Sequence, residues 1–106
     1  MTGIVPALVA GAPLDALPDI AAKSARAVLL VVDGLGWNQL SARHHLAPTL
    51  AAASGGPITT VAPSTTATAL TSIATGTPPG EHGVVGYRIK THEGVMNCLR
   101  WSTPKG

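Results

Sequence analysis

Two places in this sequence hold side chains whose types and setting allow chemistry. Asp33 follows directly on the apolar run "AVLLVV" (residues 27–32), and Ser64, Thr65 and Thr66 stand in a row behind Pro63. A carboxylate at the end of a buried strand sits where open α/β sheets place their ligands. It equally suits an Asx turn, with Asp33 accepting the backbone amides of Gly34 and Leu35. A hydroxyl at a helix start caps the first-turn amides, an interaction of about 1 kcal/mol. The same amides and the positive end of the helix dipole form an anion site, and a hydroxyl facing such a site is a candidate nucleophile. A cap needs one hydroxyl, and this run has three.

The elements that must position these groups follow from periodicity. "AVLLVV" is continuous and β-branched at three positions, which predicts a strand buried on both faces, as parallel strands are. "WNQLSARHHL" sets Trp37, Leu40 and either His44 or Leu46 at helical spacing, and "APTLAAASGG" predicts a second helical piece stopped by Gly55 and Gly56. "ITTVAP" predicts a second strand closed by Pro63. "TATALTSIATG" predicts a helix with Leu70 and Ile73 on one side and Gly76 at its C-terminal cap. Two alternating segments, Val84 to Thr91 and Val95 to Trp101, surround His92, Glu93 and Gly94 and predict a β-hairpin. Pro6, Pro13 and Pro18 break the opening residues into short pieces. Residues 1–25 therefore read as a leader packing on the domain, with one short helical turn within "LDALPDIAAKSA", and residues 26–106 as the domain proper.

Composition bounds the function classes. A chain of 106 residues supports one domain at most, and 45% apolar against 11% charged residues excludes disorder. Phenylalanine is absent, so the core is aliphatic. A net charge of +2, dispersed, and three aromatics give no nucleic-acid-binding surface. No apolar run approaches the roughly 20 residues that span a bilayer. The single cysteine, Cys98, excludes an internal disulfide and reads as a half-buried strand residue. With no basic segment at the N-terminus and Pro6 inside its apolar run, a cytoplasmic location is expected, an atypical signal sequence being the alternative.

"VVDGLG" lacks the three spaced glycines of a dinucleotide-binding fingerprint, and Leu35 stands where an aspartyl phosphatase carries its second aspartate. Taken with the later string, the pattern is more specific. "VLLVVDGLGW" followed by "VAPSTTATALTSIATGTPPGEHGVVGY" resembles the N-terminal part of the type I phosphodiesterase and nucleotide pyrophosphatase branch of the alkaline phosphatase superfamily. The residues that carry the resemblance are Asp33-Gly34, Pro63 to Thr66, Thr75-Gly76, Pro79, and His82-Gly83-Val84-Val85-Gly86. The resemblance covers residues 27–87.

What it implies is an α/β fold with an alkaline-phosphatase-like, mainly parallel sheet and flanking helices, of which this chain holds the N-terminal part. It also implies two divalent metal ions, zinc, with Asp33 and Thr66 ligating one of them. Metal coordination lowers a hydroxyl's pKa much as zinc brings water from 15.7 to about 7. Thr66 would then attack phosphorus in a small phosphate-ester or nucleotide substrate and form a phosphoenzyme. Two departures stand out. Tyr87 occupies the place where relatives carry a phosphate-binding asparagine, so it is the candidate substrate contact, and "ATAL" follows Thr66 where relatives read Phe-Pro-Asn-His. The family's remaining ligands lie farther downstream, so the chain alone is expected to be inactive. His44 and His45 read as a solvated helix face, His82 as a structural partner of its loop, and His92 as a hairpin-tip residue. The alternative is a small standalone α/β module that binds an anion, or serves as an interaction module, without catalysis. A sulfatase is disfavoured because no Cys/Ser-x-Pro-x-Arg string is present.

Overall fold

The computed structural model describes residues 1–15 and 17–103, so the last three residues of the expected 26–106 domain lie outside the described part. Among the described residues six helices and one hairpin follow in the order α1 (Ile4–Ala10), α2 (Asp19–Ala22), α3 (Trp37–Ala42), α4 (Pro48–Ala51), α5 (Thr66–Thr75), α6 (Pro79–His82), β1 (Arg88–Thr91) and β2 (Gly94–Asn97). A 3₁₀ turn over His44–Leu46 joins α3 to α4. Of these, α1 was not expected from the proline spacing. Pro6 stands in its first turn, where the missing N–H has no intrahelical partner to lose.

The longest helix, α5, organises the rest. Its buried side is built from small and hydroxylated residues: Ala67, Thr68, Thr71, Ser72 and Ile73. Thr71 Oγ1 donates to the Ala67 carbonyl at 2.8 Å and Thr75 Oγ1 to the Thr71 carbonyl at 2.7 Å, so these hydroxyls are satisfied inside the helix. Leu70 and Ile73 do not share one environment as the periodicity suggested. Ile73 is buried, whereas Leu70 borders an open cavity and stays 41% exposed.

Helix α5 ends at Gly76, which has φ +74° and donates its N–H to the Ser72 carbonyl at 3.0 Å. A Cβ there would lie 2.5 Å from Pro6 Cγ, so glycine serves both the left-handed cap and the close approach of α1. Beneath the first turn of α5 lies the hairpin. Ala67, Val84 and Cys98 form a buried cluster, with Ile89 and Met96 packed against it. The hairpin pairs Arg88 with Asn97 through Thr91 with Gly94 and turns over His92 and Glu93, as the spacing predicts, with Gly94 at φ +125°. It is shorter than the alternating pattern, because Asn97 accepts the amides of Leu99 and Arg100 through its side chain and turns the chain away. Cys98 is a correction in detail: it lies one residue past β2 and is almost fully buried.

The antiparallel hairpin is the sheet found among the described residues. The two runs expected as parallel strands, residues 27–32 and 58–62, are not assigned to any ladder. Parallel strands exist only as paired strands, and among the described residues neither run is paired with another strand. Between them lies a cavity of ≈ 500 Å³, lined by Leu29 to Val32 on one side, Gly56 to Ile58 on the other, and Ile4 and Ile73. The amino terminus reaches across, its ammonium donating to the Thr59 carbonyl at 3.3 Å. Val28 is consequently 95% exposed and Leu30 76%. The overall radius of gyration is 16.1 Å, against about 13 Å for a self-contained domain of this size.

Candidate active site

Asp33 and Thr66 come together at the end of one element and the start of another. Asp33 ends the extended run 27–32, and the chain then turns, with the Leu35 amide meeting the Val32 carbonyl at 3.4 Å and Gly34 at φ +79°. Thr66 is the first residue of α5. Its Oγ1–H donates to Asp33 Oδ2 at 2.8 Å, across 33 positions of sequence. The Asp33 carboxylate thus binds the threonine rather than closing an Asx turn on Gly34 and Leu35.

The three hydroxyls of the run have three different fates. Ser64 is exposed and lines a cavity of ≈ 380 Å³ with Asp33, Gly34, Gln39 and Leu70. Thr65 stands at the N-cap position of α5, but no side chain caps the helix. Its hydroxyl instead meets Thr68 Oγ1 at 2.8 Å. Of the three, Thr66 is the one hydrogen-bonded to Asp33. The expected cap is therefore corrected, because a fully buried neighbour three residues on takes the hydroxyl that would have capped.

His82 holds the far end of the motif. The Val84 amide donates to His82 Nδ1 at 3.0 Å, which leaves the proton of the neutral ring on Nε2, donating to Ser72 Oγ at 2.8 Å. The loop "HGVVG" is thereby tied to the middle of α5, in the structural part expected of this histidine. His44 and His45 are exposed on the 3₁₀ turn, and His92 stands at the hairpin tip 3.7 Å from Glu93. Tyr87 is half-exposed beside the hairpin, where its hydroxyl accepts Asn97 Nδ2–H at 3.2 Å. It makes no hydrogen bond to Asp33 or Thr66.

A family model for type I phosphodiesterase / nucleotide pyrophosphatase matches residues 27–104. The chain belongs to that family. No curated protein and no solved structure matches it. The matched span begins at the run that delivers Asp33 and takes in α5, the His82 loop and the hairpin, so every contact described above between Asp33 and Asn97 lies inside it. Membership makes the chain part of a hydrolase lineage acting on phosphate esters, and no described helix is long and apolar enough to cross a membrane.

The family is metal-dependent, and the donor set here answers to that in part. Tetrahedral zinc with zinc–oxygen distances of about 2.0–2.2 Å holds two of its ligands roughly 3.3–3.6 Å apart. Asp33 Oδ2 and Thr66 Oγ1 are both oxygen donors of the right kind, but at 2.8 Å they stand at hydrogen-bond separation and would have to part by about half an ångström to share one ion. Among the described residues no group of three or more His, Cys, Asp or Glu converges. Two oxygen donors are present, where a structural zinc site needs four ligands and a catalytic one at least three.

Sequence reading missed Thr68 and Asn97. Thr68 had a signal, since Thr65 and Thr68 have the i, i+3 spacing of a capping box with threonine in place of Glu or Gln. Asn97 had none, because its role comes from hairpin register.

Proposed function

We propose that this chain is the N-terminal part of a metal-dependent hydrolase that cleaves phosphodiester or nucleotide pyrophosphate bonds, with Thr66 as nucleophile. The observation that carries the reading is the Thr66–Asp33 hydrogen bond. It joins the first residue of a helix to the residue ending an apolar run, and of three adjacent hydroxyls it selects one.

Thr66 Oγ1 directs its proton at Asp33 Oδ2, which leaves its lone pairs pointing away from the carboxylate. The first-turn amides of α5, free of any side-chain cap, stand beside it as donors for the non-bridging oxygens of a phosphate group. Attack forms a bond from Oγ1 to phosphorus as the Oγ1 proton passes to Asp33 Oδ2, and breaks the bond to the leaving oxygen, which departs with its electron pair and takes up that proton. Water then displaces Oγ1 and restores the hydroxyl. Asp33 and Thr66 would be two of the residues that hold a metal ion, and zinc, when bound, would lower the hydroxyl's pKa and offset phosphate charge. Tyr87, with Asn97 behind its hydroxyl, is the proposed contact to a substrate oxygen. With two donors in hand, the chain by itself is proposed to be inactive, the remaining ligands coming from a longer catalytic domain.

The test is hydrolysis of bis(p-nitrophenyl) phosphate by a chain extended to that domain, with zinc. Thr66→Ala should lose several orders of magnitude in rate, far beyond the roughly 1 kcal/mol of a lost cap. Ser64→Ala should retain most of it. Turnover that survives Thr66→Ala and disappears in Ser64→Ala would assign the nucleophile elsewhere.

A further inference from the structure

We infer that Thr68 is a positioning residue for Thr66, acting through Thr65; the inference rests on the nucleophile reading above. Thr65 has the extended backbone of an N-cap residue, φ −72° and ψ 151°. From that geometry a threonine hydroxyl accepts the amide of the second or third helical residue. Here it does not, because Thr65 Oγ1 is engaged with Thr68 Oγ1 at 2.8 Å. Thr68 is 0% exposed, so its hydroxyl has no water to turn to and must find its partner within the protein.

The Thr65–Thr68 bridge closes over the first turn of α5, and Thr66 lies inside it. Two consequences follow for the site. The side chain of Thr65 is held off the helix end, so the first-turn amides stay uncovered beside Thr66. The backbone entering Thr66 is fixed as well, in the setting from which Oγ1 reaches Asp33 Oδ2. Ser72 and His82 clamp the helix farther along, whereas the Thr65–Thr68 bridge spans the turn that carries Thr66.

The experiment uses the extended, zinc-loaded chain and bis(p-nitrophenyl) phosphate. Thr68→Val keeps the side-chain shape and removes the hydroxyl, and Thr68→Ser keeps the hydroxyl. Thr68→Val should lower kcat about ten- to a hundredfold, the range that a small misplacement of a reacting group produces, with KM little changed. Its melting temperature should not fall, since the released Thr65 hydroxyl is free to cap α5. Thr68→Ser should restore most of kcat. Thr65→Val, at an exposed position, breaks the same bridge from its other end, leaving the buried Thr68 hydroxyl to turn to a carbonyl one turn back, and should show the same kcat loss if Thr68→Val fails to fold. Wild-type kcat in either valine variant overturns the inference, as does a parallel fall in kcat and melting temperature that Thr68→Ser does not relieve. Thr66→Ala in the same assay separates the two levels. An inactive Thr66→Ala beside a fully active Thr68→Val sinks this inference alone, and an active Thr66→Ala removes the nucleophile reading and this inference with it.

Discussion

Replacing His82 by alanine removes two hydrogen bonds at once and leaves both partners exposed to different fates. The Val84 amide, on a residue only 5% exposed, loses the Nδ1 acceptor that it meets at 3.0 Å. A buried amide left without a partner costs about 1–3 kcal/mol. Ser72 Oγ, on a fully buried residue, loses the Nε2 donor at 2.8 Å, but its hydroxyl can rotate toward a carbonyl one turn back in α5. That second loss is therefore nearer the ordinary net value of about 0.5–1.5 kcal/mol. Together the two give a destabilisation of roughly 2–4 kcal/mol. Urea unfolding followed by circular dichroism reads this as a lower midpoint at unchanged slope. Ser72→Ala alone should cost about 1 kcal/mol, and the double variant should fall short of the sum by about as much, since one bond is deleted in both singles. A cost for His82→Ala below about 0.5 kcal/mol, or strict additivity with Ser72→Ala, would refute the clamp.

Gly76→Ala should destabilise by at least about 1–2 kcal/mol, the cost of a left-handed backbone for an L-residue, and more because the new Cβ meets Pro6; a melting temperature equal to wild type would show that α1 does not pack as described. Residues 1–106 alone should show no zinc-dependent turnover, weak zinc binding and self-association, because the run 27–32 exposes apolar side chains and unpaired backbone. Calorimetry with zinc and sedimentation velocity check this, and a cooperative, monomeric melt with sub-micromolar zinc affinity would contradict it.

The ends of elements were more legible in this sequence than the sheet. Asp33 and the hydroxyl run stand where elements end and begin, limits marked by local chemistry, a β-branched run in one case and a proline followed by hydroxyls in the other; which of the three hydroxyls pairs with Asp33 was not local, and Thr66 came only from the family resemblance. Gly76, the hairpin turn and the exposed positions of His44, His45 and His92 were readable for the same local reason. The strands over 27–32 and 58–62 were not, because a strand is completed by its neighbour and periodicity carries no information on whether that neighbour is present. Helix α1 was hidden by Pro6, whose placement in a first turn looks, in sequence, like a breaker. Thr65 was the subtler case. Its type and backbone suit a cap, and only the burial of Thr68 decides that its hydroxyl goes elsewhere.

The central claim is that Thr66 is the group that takes the phosphate. The most direct measurement is acid quenching of the extended, zinc-loaded chain during turnover of bis(p-nitrophenyl) phosphate, followed by peptide mass mapping of the segment that holds Ser64, Thr65 and Thr66. The expected result is a phosphate ester on Thr66 that forms with substrate, decays when substrate is exhausted and is absent in Thr66→Ala. Turnover with the phosphate on Ser64 or Thr65, or with no phosphorylated peptide at any quench time, would contradict it.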